Sequence, residues 1–364
     1  MRILMVAGGT GGHIFPALAV AEELRTRSER GDGNAPRYEI EFLGTRRPLE
    51  AKLIPAAGFP LRTIAAAGLK GIGGWRKLHN LLVLPRTAVE AAAVLREFQP
   101  HVVVGVGGYV AGPVMLEAAL LDIPTVLIEP NARPGFTNRV LAPVVRAAAV
   151  GFEQAAWPYG KKAHLTGHPV RHAFFEISPR PPTLPFSLLI VGGSQGSRAI
   201  NQAVVGSLPL LRSDVGRIRI VHQTGEPDYN DIRKAYQEQG FLAEVDAFIM
   251  DMPRALEQAD LVVSRAGATA VAELSAAGRA ALLIPFPGAT DQHQLENARA
   301  MEGAGAARVI VQSELKPERL VGEIRELMAS PATLARMGTC ARALARPDAA
   351  VRIADLVEAF ARNG

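Results

Sequence analysis

Short runs of consecutive apolar residues alternate along the chain with stretches whose apolar positions recur at helical spacing, and glycine stands at most of the junctions. The first run, Arg2 to Ala7, is too uniformly apolar for a half-exposed strand and reads as a strand buried on both faces. Gly8-Gly9-Thr10-Gly11-Gly12-His13 follows it, then a helical pattern from Ile14 to about Leu24. The alternation continues through strand-like Tyr38–Gly44, helical Glu50–Ala57, strand-like Phe59–Ile64 and an Ala-rich helix over Thr87–Glu97. His101–Val106 then runs into a second glycine turn, Gly107-Gly108-Tyr109, with a helix over 113–121. Thr125–Ile128 runs into Glu129-Pro130-Asn131, before a helix from about Gly135 to Leu141 and a strand over 147–151. Strands alternating with helices predict an α/β chain with parallel sheets.

The second half repeats the opening. After Pro-rich Pro179–Pro185, a strand over Phe186–Val191 ends in Gly192-Gly193-Ser194-Gln195-Gly196 and leads into a helix. Further strands are expected over Arg217–His222, Ala243–Ile249, Leu261–Ser264, Ala281–Pro285 and 307–310. Helices are expected over Asn230–Gln239, from about Met250, over the segment opened by Gly267 and Thr269, over 317–329 and over 348–362. A chain of 364 residues exceeds one ordinary core and predicts two domains. They are placed at 1–165 and 166–345, with a last helix in 346–364 crossing back onto the first.

The glycine turns carry the candidate chemistry. Without side chains the backbone can approach a ligand closely, and a helix start offers N–H groups to an anion. The first loop fits no G-x-G-x-x-G frame and holds no phosphate-loop lysine. Glu129 and Asn131 follow a strand's carboxyl end, where α/β folds place ligands. The 192–196 loop offers backbone N–H groups and the Ser194 hydroxyl to phosphate. Glu273, early in its helix, suits the paired hydroxyls of a ribose, or simply the helix dipole. Asp291, Gln292, His293, Gln294, Glu296 and Asn297 form a polar run suited to sugar hydroxyls.

Composition narrows the partners. The formal charge is +5, but aromatics are only 5% and no basic cluster is interleaved with them, which argues against nucleic acid. There is no C-x-x-C, H-E-x-x-H or D-x-D, so neither a held metal nor a cofactor is expected. The single Cys340 excludes an internal disulfide, and no signal peptide or membrane-length apolar run is seen, so a soluble or peripheral protein is expected. One stretch departs from this picture. In Ala65–Arg86, Leu69, Ile72, Trp75, Leu78, Leu81 and Leu82 stand among Lys70, Arg76, Lys77, His79 and Arg86, with no acid. It reads as an interfacial anchor for an anionic membrane surface, or as an ordinary helix on a sheet. Its glycines at 68, 71, 73 and 74 favour a loop before the helix.

Taken together, the 8–13 loop, Gly105-x-Gly107-Gly108-Tyr109, Glu129-x-Asn131, the 192–196 loop and Glu273 closely resemble the peptidoglycan glycosyltransferases of family 28, over essentially the whole chain. The resemblance implies the glycosyltransferase B fold, with two Rossmann-like parallel-sheet domains facing across a deep cleft. It implies UDP-N-acetylglucosamine as donor, undecaprenyl-diphospho-N-acetylmuramoyl-pentapeptide as acceptor and a β(1→4) product made with inversion. It further implies a peripheral protein on the cytoplasmic face of the bacterial plasma membrane, with cell-wall and division proteins as further partners.

Carried onto matching positions, the resemblance places Thr10, Gly11, Gly12 and Asn131 at the donor sugar and the acceptor side, and Tyr109 with the acceptor. Arg171 and Ser194 go to the nucleotide and its phosphates, Ile249 and Met252 to the uridine, and Ala268, Thr269 and Glu273 to the ribose and phosphates. His293 and Gln294 go to the sugar hydroxyls. His13 is the expected general base, with Glu129 orienting it or competing for the role. The chain departs from the family at Ile128, where a His is common, at Pro130, where a Gln is common, and at His293-Gln294, where two glutamines occur. The alternatives are a UDP-N-acetylglucosamine 2-epimerase, a glycosyltransferase acting on a soluble acceptor and a non-enzymatic sugar-nucleotide-binding or scaffold protein.

Overall fold

The computed structural model describes residues 1–30, 37–65, 74–288 and 293–362, and of residues 74–85 the backbone alone. The chain divides into two units, Met1–Arg171 with Arg346–Gly364, and His172–Ala345.

The first unit runs β1 (Arg2–Val6), α1 (Gly11–Arg30), β2 (Glu39–Gly44), α2 (Pro48–Ala56), β3 (Leu61–Thr63), α3 (Gly74–Phe98), β4 (Val102–Gly105), α4 (Gly108–Leu120), β5 (Thr125–Glu129), α5 (Phe136–Leu141), β6 (Ala147–Val150) and β7 (Ala163–Leu165). Its seven strands lie in the order β3-β2-β1-β4-β5-β6-β7, every pair parallel. Helices cover both faces, which is why strands such as Val102–Gly105 are apolar throughout. The order reverses between β1 and β4, and Val6 pairs with Gly105, so both strands end level. Glycine loops leave both ends, at the crevice where an open parallel sheet takes its ligands.

The second unit repeats this plan with β8 (Phe186–Val191), α6 (Arg198–Ser207), β9 (Ile218–Gln223), α7 (Tyr229–Glu238), β10 (Ala243–Asp246), α8 (Met252–Gln258), β11 (Leu261–Ser264), α9 (Ala268–Ala277), β12 (Ala281–Leu283), α10 (His293–Gly303), β13 (Ala307–Val309), α11 (Pro317–Met328) and α12 (Pro331–Ala343). Six parallel strands lie in the order β10-β9-β8-β11-β12-β13, and the reversal falls between β8 and β11, where Val191 pairs with Ser264. The parallel strands in both units match the expected fold class.

The last helix, α13 (Ala349–Arg362), packs on α1, β4 and β5 of the first unit. It buries Ala349, Ile353, Ala354, Val357 and Ala361. Covering a side chain the size of Ile353 or Val357 contributes about 1.5–3 kcal/mol. Arg27 on α1 pins the helix, bonding Asp355 at 2.8 Å, Glu358 at 2.9 Å and the Val351 carbonyl at 2.9 Å.

The division falls at 171/172 rather than at 165/166. Residues 166–171 stay with the first unit because the Thr166 and Gly167 N–H groups both donate to the Val150 carbonyl, at 3.1 and 3.3 Å. Gly167, at φ +87°, also lies against Arg346, which a Cβ would meet at 2.9 Å. Helix α4 begins at Gly108, before the expected 113, and α12 lies where the sequence pattern predicts no helix. No helix among the described residues is long and apolar enough to cross a membrane.

Candidate active site

Three loops of the first unit converge where β1, β4 and β5 end side by side. Helix α1 starts tightly: the Thr10 carbonyl accepts from the His13 and Ile14 N–H groups at 3.0 and 3.2 Å. His13 therefore sits in the first turn, its Nδ1 3.4 Å from Thr10 Oγ1. Gly108, at φ +81°, lets the second loop close over it, since a Cβ there would stand 2.8 Å from the Gly8 carbonyl oxygen and 3.5 Å from His13 Nδ1. Burial holds the imidazole below the ordinary histidine range, partly offset by the Gly8 carbonyl. His13 is thus neutral at neutral pH and able to take up a proton.

Glu129 is fully buried at the end of β5. Its Oε1 accepts from the Asn131 backbone N–H and Nδ2, at 2.9 and 3.0 Å. Its Oε2 accepts from the Gly135 N–H and Asn138 Nδ2, at 2.9 and 2.8 Å. These four donors fill the lone-pair positions of a carboxylate. Burial raises its pKa even against the donors. Glu129 organises its loop and fixes Asn131. Pro130 lacks an N–H, and the loop's bonds to Glu129 come from Asn131, Gly135 and Asn138 instead. Asn138 also faces Gly107, whose Cβ would meet its Oδ1 at 2.9 Å. Tyr109, in the first turn of α4, is exposed. Arg171 stands over the Phe15 ring at 5.4 Å, and burial raises the Glu22 pKa against the opposing pull of the Arg171 and Arg25 charges.

In the second unit, Gly193 (φ +92°) and Gly196 (φ +76°) close a turn through a Gly196 N–H bond to the Gly193 carbonyl at 3.0 Å. Ser194 is half-buried within that turn, and Ser197 caps α6 through the Ile200 N–H. Beneath it, buried Gln223 donates Nε2 to the Gly193 carbonyl at 2.9 Å and accepts from the Ile249 N–H at 2.8 Å. One side chain thus ties the 192–196 loop to the segment holding Ile249 and Met252. Helix α9 starts after Gly267 with no side chain capping it, and carries Ala268 and Thr269 in its first turn and half-buried Glu273 one turn on. Asn297 Nδ2 bonds the Ala266 carbonyl at 3.0 Å and ties α10 to this start. Half-buried His293 opens α10, and the Gln294 side-chain oxygen accepts from the Phe286 N–H at 3.0 Å. Arg265 bonds the Ile284 carbonyl and Gln312, lies over Phe286 and is pushed down by burial to about 10, which leaves it cationic at neutral pH.

Leu69 and Ile72 lie outside the described residues, as do Asp291 and Gln292. Trp75, Lys77, Leu78, Leu81 and Leu82 belong to α3, but their side chains lie outside the described residues. No cluster of His, Cys, Asp or Glu able to hold a metal occurs among the described residues. Sequence reasoning missed Glu50, Gln223 and Arg265. Of these only Glu50 left a local trace, as the acid in the first turn of α2, where a helix-dipole role accounts for it.

The Glycosyltransferase family 28 N-terminal domain matches residues 3–150, and its C-terminal domain matches 187–353. The UDP-N-acetylglucosamine–N-acetylmuramyl-(pentapeptide) pyrophosphoryl-undecaprenol N-acetylglucosamine transferase of Myxococcus xanthus is 44% identical, over 100% of this chain and 95% of that protein. The crystal structure of Acinetobacter baumannii MurG is 30% identical, covers 99% of this chain and 100% of that one, and superposes with a TM-score of 0.70. A UDP-GlcNAc 2-epimerase from Neisseria meningitidis, 13% identical over 99% of this chain and 100% of that one, shares the fold at a TM-score of 0.66.

Proposed function

Because the chain belongs to glycosyltransferase family 28, we propose that it transfers N-acetylglucosamine from UDP-N-acetylglucosamine to undecaprenyl-diphospho-N-acetylmuramoyl-pentapeptide. The sugar goes to the C4 hydroxyl of the muramoyl unit, with inversion to a β(1→4) bond and release of UDP. The observation that carries this reading is the 44% identity to the Myxococcus transferase across the whole chain. The likeness to the 2-epimerase, at 13%, speaks for the fold alone.

On this reading the first unit activates the acceptor. His13 Nε2 takes the C4 proton as the oxygen attacks the anomeric carbon; Glu129, with its lone pairs filled, fixes Asn131 rather than competing as base. Thr10, Gly11, Gly12 and Asn131 contact the sugar, and Tyr109 the acceptor. The second unit receives the leaving diphosphate. Ser194, the N–H groups around Gly193 and the uncapped start of α9 meet its growing charge. Glu273 takes the ribose hydroxyls, Ile249 and Met252 the uracil, and His293 and Gln294 the sugar hydroxyls. Arg171, against Phe15 and Glu22, supplies a cation for the phosphates.

Labelled UDP-N-acetylglucosamine and the lipid-linked acceptor, without added metal, are expected to give a β-linked lipid disaccharide. Free sugar or an epimerised nucleotide, formed without acceptor, would overturn the reading. The acid limb of kcat is expected below the ordinary histidine value of ~6.5, because His13 must be neutral to accept the proton and its pKa is lowered.

The same reading puts a membrane-facing surface on the first unit. Helix α4 packs against both α3 and α5. Leu116 and Leu120 on α4, with Phe136 and Val140 on α5, are exposed, Leu120 by 73% and Phe136 by 68%, and Arg139 is exposed beside them. Exposed apolar side chains with a cation beside them suit an anionic bilayer. Co-sedimentation with vesicles rich in anionic lipid is expected, and is expected to weaken on Phe136→Ser with Val140→Ser.

A further inference from the structure

One buried charge lies under the first glycine loop without touching the chemistry. Glu50, in the first turn of α2, is fully buried. Its Oε1 accepts from the Gly9 N–H at 2.6 Å and from Thr45 Oγ1 at 2.7 Å, and its Oε2 accepts from the Thr45 backbone N–H. From outside, Arg47 Nη1 donates to the Gly9 carbonyl at 3.2 Å. Gly9 is thereby held at both its donor and its acceptor. Two neighbouring glycines make room for this carboxylate: a Cβ on Gly8 would stand 3.2 Å from Oε1, and one on Gly44 2.4 Å from Oε2. Hydrogen bonds to an ionised acceptor are the stronger kind, and here three donors meet one carboxylate.

We propose that Glu50 is a positioning residue for the transfer reaction, which by clamping Gly9 to Thr45 sets where α1 begins and where the His13 imidazole stands. His13 lies four residues beyond Gly9, at the helix start that the clamped turn leads into. The inference rests on His13 being the base. Displacing a reacting group by ~1 Å costs up to about 10²-fold in rate.

The test uses the whole enzyme. Glu50→Gln keeps the shape but turns one acceptor into an amide facing an N–H donor. It is expected to lower kcat by about 30-fold while the KM for UDP-N-acetylglucosamine and the Kd for UDP stay within about twofold. In a His13→Ala background the same change is expected to cost less than about threefold, because a base that is absent cannot be misplaced. Equal losses in both backgrounds, or an unchanged kcat, would overturn the proposal. Should Glu50→Gln fail to fold, Thr45→Val removes one donor from the same carboxylate and is read the same way. A readout independent of turnover separates this idea from the assignment of the reaction. By NMR, the Gly9 amide proton of the wild type is expected far downfield, and Glu50→Gln is expected to move both it and the His13 ring resonances. If the wild type makes no lipid disaccharide, the reaction assignment fails. If the Gly9 and His13 resonances stay put in Glu50→Gln, the clamp fails.

Discussion

In both units the first strand after the unit begins runs into paired glycines, and the second of each pair has positive φ, 99° at Gly9 and 92° at Gly193. Neither has anything within 4 Å of the place a Cβ would take, so both turns present bare backbone. Beneath them the two loops differ. Under Gly9 lies the carboxylate of Glu50, which consumes that residue's N–H. Under Gly193 lies the neutral carboxamide of Gln223, which holds the carbonyl and leaves the N–H alone. A carboxylate about 8 Å from a phosphate, at an effective dielectric of about 20, opposes it by about 2 kcal/mol per unit charge. The two glycine loops are thereby made unequal: the first is poorly suited to an anion and the second well suited. That division matches the proposed reaction, in which one unit moves a proton and the other takes up a leaving diphosphate.

The largest expected effect breaks the division at its chemical end. His13→Ala is expected to lower kcat by about 10³-fold with the Kd for UDP, measured by calorimetry, unchanged. Weakened UDP binding would mean the first loop also carries the nucleotide. Next comes acidification. His222, buried between Tyr236 and Asn201 in the second unit, is pushed down to about 3, while the unfolded chain titrates near ~6.5. Between those values the unfolded state binds the proton and the folded state does not. Stability is therefore full above ~6.5 and is expected to fall by about 3 kcal/mol on reaching pH 4. Thermal melts across pH check this, and His222→Gln is expected to flatten the dependence. His168, pushed to about 4 in the first unit, contributes in the same direction, so each histidine needs its own variant. A smaller effect comes from making the loops alike. Gln223→Glu places a carboxylate under Gly193 and is expected to weaken UDP binding by about 30-fold, which corresponds to about 2 kcal/mol. Equal binding would show that the charge beneath the loop is irrelevant. Smallest is Ser194→Ala, which removes one hydroxyl and is expected to cost about fivefold in UDP affinity.

The repeated strand–glycine–helix plan was legible because buried parallel strands are contiguous in sequence and uniformly apolar. Phe186–Val191 and Leu261–Ser264 are observed with the expected bounds. Glu50 was not legible as a clamp because its partner Gly9 lies 41 residues away, and no local period records a bond of that range. Gln223 reaches Gly193 and Ile249 across similar gaps, 30 and 26 residues. The division after Arg171 was displaced because residues 166–171 hold to the first unit through Val150 and Arg346, contacts that composition does not register. Helix α12 was missed in an Ala- and Arg-rich stretch where only Leu334, Met337 and Ala341 are buried.

Since residues 346–364 complete the unit that residues 1–171 began, the second unit is an insertion within the first. A ribosome therefore releases the whole second unit before the first can be finished. Through that interval, the ground that Ile353 and Val357 will cover on α1, β4 and β5 stays bare and open to wrong partners. Synthesis halted at Ala345 would leave it so permanently, and such a fragment is expected to clump or to be recovered bound to chaperones.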